Sequence, residues 1–100
     1  MSEYKVVLTP RAIRDMDKIY QYIYEEFKEP ETTKQMLCNL EEGVKSLYAM
    51  PYRGTERKIG RYTDKGYRQL LVKRYTIVYR IDEQNKRVIV LTIRYTASEF

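Results

Sequence analysis

The 100-residue chain has no histidine and no tryptophan, a single cysteine, four glycines and three prolines. Without histidine, a Ser–His or Cys–His nucleophilic arrangement and the usual His/Cys zinc sets are excluded within the chain. Cys38 has no partner for an internal disulfide and no imidazole to activate it, so it reads as a small buried hydrophobe. Any chemistry therefore falls to Arg, Lys, Tyr, Asp or Glu, and no metal or cofactor is expected. Long hydrophobic runs are also missing. The longest candidate, Val88 to Ile93, is far short of the about 20 residues of a membrane span and reads as a strand. The opening MSEYKVVLTPRAIRD lacks the basic head, apolar middle and small-residue cleavage site of a signal peptide. A cytoplasmic protein is the expectation.

What is present is tyrosine, eleven of them, and an uneven positive charge. Residues 1–50 hold seven basic and nine acidic side chains, a net of −2, whereas residues 51–100 hold twelve and five, a net of +7. Such asymmetry points the C-terminal half toward nucleic acid or an acidic protein partner. A merely solvated basic surface is the plainer alternative.

Taken in order, Tyr4 to Leu8 is a short β-branched strand. Thr9-Pro10 supplies a helix N-cap followed by a proline in the first turn, where its missing N–H costs nothing. Ile13, Met16, Ile19, Tyr20, Ile23 and Phe27 recur at three- and four-residue steps, which predicts an amphipathic helix ending near Lys28, before Pro30. Met36, Leu37, Leu40, Val44, Leu47 and Tyr48 predict a second helix from about Pro30, closed by Met50-Pro51. The connection is so short that the two helices must form an antiparallel hairpin. Residues 52–65 carry two glycines and no sustained period, the pattern of a loop or short edge strand.

From Gly66 to Tyr95 the sequence GYRQLLVKRYTIVYRIDEQNKRVIVLTIRY reads as three strands, with Lys73-Arg74 as an untyped tight turn and Asp82 to Lys86 as a polar hairpin loop. Strand side chains alternate faces. If one parity holds throughout, Tyr67, Gln69, Leu71, Tyr75, Ile77, Tyr79, Ile81, Ile89, Leu91, Ile93 and Tyr95 roof the helices. The even positions then form an open face, with Arg68, Arg80 and Arg94 around an aliphatic patch of Leu70, Val72, Val78, Val88 and Val90. An exposed apolar patch of that size marks an interface. Val78→Asp is on this reading a binding variant that leaves the fold intact. Tyr20, Tyr48, Tyr75 and Tyr79 are expected in the core, and Tyr52, Tyr62 and Tyr95 at the surface.

The expected architecture is one α+β domain over residues 1–100: an N-terminal strand, an antiparallel two-helix hairpin and a mainly antiparallel C-terminal sheet, in the order β-α-α-β-β-β. In that order three stretches resemble the RelE/ParE superfamily, the toxins of bacterial type II toxin–antitoxin systems, which include plasmid-stabilisation toxins. VVLTPRAIRDMDKIYQYI is similar to the family's strand and T-x-x-A helix start. SLYAMPYRG is similar to its L-x-x-x-P-x-x-G. Gly66, Arg68, Val72, Tyr75, Ile77 and Tyr79 fit its G-x-R-x-x-x-V-x-x-Y-x-I-x-Y.

The resemblance implies growth inhibition by one of two mechanisms. ParE-type toxins bind DNA gyrase without hydrolysis of their own, and RelE-type toxins cut mRNA on the ribosome. For the second, cleavage through a 2′-OH needs a base, cations for the phosphate and an acid for the leaving oxygen. At the positions where RelE-like sequences carry such groups, this chain has Arg68 in place of a lysine, Leu70, Thr76, a site near Thr96, and Phe100. Arg68 keeps the charge but stays protonated, so it is a poor base. Lys73, Arg74, Arg80, Arg94 and Tyr95 remain as substitutes. The ParE-like reading is therefore preferred, with a RelE-like nuclease as the alternative and a non-toxic or decayed binding module behind it. The resemblance also implies an acidic, partly disordered antitoxin as partner, contacting operator DNA on the complex's behalf. The expected binding set is Arg68, Leu70, Val72, Val78, Arg80, Val88, Val90 and Arg94.

Overall fold

In the computed structural model, which describes residues 3–57 and 66–96, the chain runs β1 (Lys5–Leu8), α1 (Pro10–Phe27), α2 (Pro30–Ser46), β2 (Thr55–Glu56), β3 (Arg68–Val72), β4 (Tyr75–Asp82) and β5 (Arg87–Tyr95). The expected α+β order is present, with β2 as the short edge strand. Expectations for Tyr62 and Phe100 lie outside the described residues.

Helix α1 begins as the sequence dictates. The Thr9 hydroxyl accepts the Ala12 N–H at 3.1 Å and donates to the Leu91 carbonyl at 2.8 Å, so one side chain both caps the helix and ties it to β5. The helix ends at Lys28, whose left-handed φ of 51° lets its N–H close on the Tyr24 carbonyl at 2.9 Å. Pro30 then starts α2, and the hairpin follows. Helix α1 lies over β5 and α2 over β3. Ala12, Ile19, Ile23, Leu40, Val44 and Leu47 are buried between the two layers. Ile13 and Tyr48, expected on the core stripes, are instead about half exposed. Ala12 takes the inward position one residue before Ile13, and Tyr48 falls in the turn after α2 has ended at Ser46.

The five strands form one sheet in the order β1-β5-β4-β3-β2, antiparallel except for the parallel β1–β5 pair. Paired residues share a face, so the register shows where single parity breaks. Val72 pairs with Tyr75 across the two-residue Lys73-Arg74 turn, in which Lys73 takes φ 55°. That pairing puts the even positions of β3 on the same face as the odd positions of β4. A bulge between Val78 and Tyr79, opposite Thr92 and Val90, leaves Leu91 as an extra residue. Before it, odd Ile93 faces with Ile77, and after it, even Val90 and Val88 face with Tyr79 and Ile81.

The helix-facing layer is therefore Leu70 and Val72 from β3, Tyr75, Ile77, Tyr79 and Ile81 from β4, and Ile93, Val90 and Val88 from β5. The expected aliphatic patch on the open face is overturned. Leu70, Val88 and Val90 are buried core residues, and Val72 packs against Gly43 of α2. Val78 does point to the opposite face, between its partners Gln69 and Thr92, but it is 0 % exposed. Arg57 closes over that side, with Nη1 2.7 Å from Gln69 Oε1.

Two stability outcomes follow from this packing. A Cβ on Gly43 would lie 2.5 Å from Val72 Cγ2, and a β-branched side chain cannot swing aside cheaply. Gly43→Ala should therefore cost about 1–3 kcal/mol of overpacking, against a helix-propensity gain of about 1 kcal/mol. Adding Val72→Ala should recover part of the loss in a urea double-mutant cycle. Val78→Asp should unfold the domain rather than tune binding, because it buries a carboxylate without a partner at a cost of about 3 kcal/mol or more. Circular dichroism melts distinguish the two.

Candidate functional site

Three places concentrate polar and aromatic chemistry. The first is the loop after α2. Tyr79, 0 % exposed, donates its hydroxyl to the Pro51 carbonyl at 2.8 Å and accepts the Gly54 N–H at 3.2 Å. A side chain at Gly54 would meet the Gln69 carbonyl oxygen at 2.3 Å and the Tyr79 hydroxyl at 2.6 Å, so only glycine fits there. Arg68 pairs with Tyr79 and so lies on the helix-facing side, not the open face. Its Nη2 donates to the carbonyls of Tyr52 at 3.1 Å and Gly54 at 2.6 Å, and its guanidinium carbon sits 5.2 Å from the Tyr52 ring centroid. Arg68 is thus used to hold the loop.

The same loop reaches Glu83 in the β4–β5 turn. Tyr52 donates to Glu83 Oε2, the Tyr4 hydroxyl lies 2.8 Å from both carboxylate oxygens, and Lys86 Nζ pairs with Oε1 at 3.1 Å. Lys86 also lies 5.1 Å from the Tyr4 ring centroid. The Tyr52 and Tyr4 hydroxyls, then Lys86, hold the Glu83 carboxyl below its ordinary value. Its neighbour Asp82 is lowered to about 2 by Asn85 and then Arg87, which donates at 3.0 Å. The cluster joins β1, the post-α2 loop and the last hairpin, and its groups are spent on one another.

The second place is the open face. Leu71 is 59 % exposed and Arg80 is exposed, with Ile89 and Val7 half-buried nearby in register. Of the expected binding set, Arg80 stands out to solvent and Arg94 is half-buried. Thr76 is closed off by a 2.9 Å contact between its hydroxyl and that of Thr96.

The third place was not foreseen as a site. At the end of the sheet bearing the Lys73-Arg74 turn, a groove of ≈590 Å³ runs between α1 and the strand ends, walled by Ile19, Tyr22, Ile23, Met36, Tyr75 and Tyr95, with Lys18, Glu26 and Arg74 also lining it. Next to it lies a ≈390 Å³ depression lined by Arg11, Arg14, Asp15, Lys18, Ile19, Ile93, Arg94 and Tyr95. Lys18, Ile19 and Tyr95 belong to both, so the two are one trough along α1. Asp15 is engaged inside it, accepting from the Thr92 hydroxyl and from the Ile93 N–H at 3.3 Å, where β5 runs on past the end of β1. Tyr95 meets Tyr75 edge-on, with centroids 5.9 Å apart. Burial first, then the Tyr22 and Tyr95 hydroxyls, raises the Tyr75 phenol, with Arg74 opposing. The sequence carried one signal for this place: Arg11, Arg14 and Lys18 recur at helical spacing on α1.

Of the catalytic candidates, Lys73, Arg74, Arg94 and Tyr95 gather at this end, where Tyr75 pairs with Tyr95 and Thr76 with Arg94. Arg80 lies farther along β4, and Arg68 is committed to the loop. Among the described residues, no group of three or more His, Cys, Asp or Glu side chains is placed to hold a metal, and no helix is long and apolar enough to cross a membrane.

A strand, a helical hairpin and a mainly antiparallel sheet form a fold shared with solved structures of toxin–antitoxin systems. The chain is similar to a structure of the chromosomal ParDE toxin–antitoxin system from P. aeruginosa, at 23 % identity and TM-score 0.73 over 93 % of this chain and 96 % of that one. It is similar at 24 % identity and TM-score 0.66 to the toxin–antitoxin complex RelBE2 from Mycobacterium tuberculosis, covering 98 % and 97 %. An archaeal RelE–RelB complex from Pyrococcus horikoshii OT3 aligns at 13 % identity and TM-score 0.61 over 95 % and 97 %. At these identities the likeness speaks for the fold. No curated protein matches the chain. A family model described as the ParE toxin of the type II toxin–antitoxin system parDE matches residues 6–100, and the chain belongs to that family.

The Glu83 cluster sets an acid limit on stability. A carboxyl lowered on folding contributes stability above its unfolded value, 4.5 for Glu83, and that contribution is lost as pH falls through the lower folded value. The melting temperature of the wild type should fall through this window. In Glu83→Gln the wild-type protein's extra slope should shrink, leaving the part carried by Asp82 between its ordinary 3.8 and about 2. Scanning calorimetry across acid pH reads both.

Proposed function

We propose that this chain is a single-domain cytoplasmic toxin that arrests growth by binding DNA gyrase, with no hydrolytic step of its own, and that a cognate antitoxin neutralises it. The antitoxin would carry any contact with operator DNA. The observation that supports the binding mechanism is that Arg68, Leu70 and Thr76, at positions where RelE-like sequences carry nuclease groups, are taken up by structural contacts. A base, phosphate-binding cations and an acid have to converge on one phosphate. Here Arg68 is tied to the Tyr52 and Gly54 carbonyls, Leu70 is core, and Thr76 is closed by Thr96. Membership of the ParE family and structural likeness to a ParDE system point the same way. The toxin–antitoxin complexes among the similar structures support the antitoxin partner.

A second reading, ribosome-dependent mRNA cleavage, draws on the gathering of Arg74, Arg94 and Tyr95 at one end of the sheet. Induction of the chain alone should stop growth, and unimpeded growth would mark a non-toxic binding module. Purified toxin should then inhibit supercoiling by gyrase and leave mRNA intact in a translating extract. Primer extension that shows new mRNA 5′ ends, with supercoiling unaffected, would move the assignment to the nuclease.

A further inference from the structure

Among the surfaces of the described residues, the trough along α1 combines space, exposed hydrocarbon and an excess of positive charge. From Arg11 to Glu26 it follows α1 for about 22 Å at 1.5 Å per residue. Its two halves differ. Toward Glu26 the walls are mainly hydrocarbon, from Ile23, Met36 and the rings of Tyr22 and Tyr75. Toward Arg11 the walls are cationic, from Arg11, Arg14, Lys18 and Arg94, with the Asp15 carboxylate already engaged by Thr92 and Ile93. Among the described residues that line the two halves, Arg11, Arg14, Lys18 and Arg74 outnumber Asp15 and Glu26.

We infer that this trough docks a segment of a partner protein that is apolar at one end and carries carboxylates at the other, the apolar end seated by Met36 and Tyr75 and the acidic end by Arg11 and Arg14. The inference rests on reading the chain as half of a toxin–antitoxin pair, the antitoxin being that partner. Charge complementarity selects an acidic occupant. The hydrocarbon half selects a protein over a nucleic-acid backbone, whose phosphates leave the half-buried Met36 and the exposed rings of Tyr22 and Tyr95 unused. A second copy of this chain is disfavoured by its net charge of +5. Tyr22, 60 % exposed, and Tyr95, 43 % exposed, are suited to close over the bound segment, since aromatic side chains dominate interface hot spots.

The test is isothermal titration of the full-length chain with the purified product of the gene adjacent to its own, using Tyr22→Ala for the apolar half and Arg14→Glu for the basic half. Both sites are exposed, so melts should match wild type. Each variant should weaken binding by about tenfold or more, whereas Lys45→Glu, the same charge reversal on exposed α2, should stay within about threefold. If the wild type binds and both trough variants bind equally well, the docking assignment is overturned while the toxin–antitoxin reading stands. If the wild type does not bind the neighbour's product at all, that reading fails and the docking with it. If a ten-residue oligouridylate binds the wild type and both variants lose it, the occupant is RNA and the inference is overturned.

Discussion

The buried hydroxyl of Tyr79 is the constraint on which the working parts of this molecule depend. It lies on the central strand, at the bulge, and in a dry environment it must both donate and accept or forfeit about 1–3 kcal/mol for each group left unpaired. It does so through Pro51 and Gly54, so the loop after α2 is drawn down onto the sheet. Gly54 follows from that approach, since any Cβ would collide with the Gln69 carbonyl oxygen. Once the loop is placed, Tyr52 is brought under Arg68 and within reach of Glu83, and Tyr4 completes the link to the N-terminal strand. One satisfied phenol thus organises contacts between segments far apart in sequence.

That arrangement also explains why a basic chain does not present its arginines as one patch. Arg68 on the helix-facing side is held by the Gly54 carbonyl and Arg57 on the opposite side by Gln69, while Arg80 faces solvent. The cations that remain together are those of α1 and the strand ends, Arg11, Arg14, Lys18, Arg74 and Arg94. They converge because β5 runs past the end of β1, and the first turns of α1 fill the vacated edge, with Asp15 accepting the Ile93 N–H. The same substitution of a helix carboxylate for a missing strand partner creates the basic half of the trough.

The central strand shows how far parity reasoning carries and where it stops. On β4 the assignment of Tyr75, Ile77 and Tyr79 to the core was right, because alternation within one unbroken strand is a local property. On β3 and on the first half of β5 it was inverted. A two-residue turn at Lys73-Arg74 and an unpaired Leu91 each shift the phase by one residue, and a one-residue shift moves every side chain to the other face. Neither site carries the Gly or Asn-Gly signature that announces such a change.

The sequence by itself determined the elements and their order. Thr9-Pro10, Pro30 and the three- and four-residue apolar steps are interactions between near neighbours, as is alternation within a strand. It also carried the family, because the glycine, arginine and tyrosine spacing from Gly66 to Tyr79 is a linear pattern. Tertiary structure decided which face each strand presents, since register is set by pairing between strands and not by any one of them. It decided that Leu70, Val72, Val88 and Val90 are core, and that Arg68 is a structural clamp. It also decided that residues as distant as Arg11, Met36 and Tyr95 share one trough, because only the packing of α1 against the ends of the sheet brings them within reach of one another.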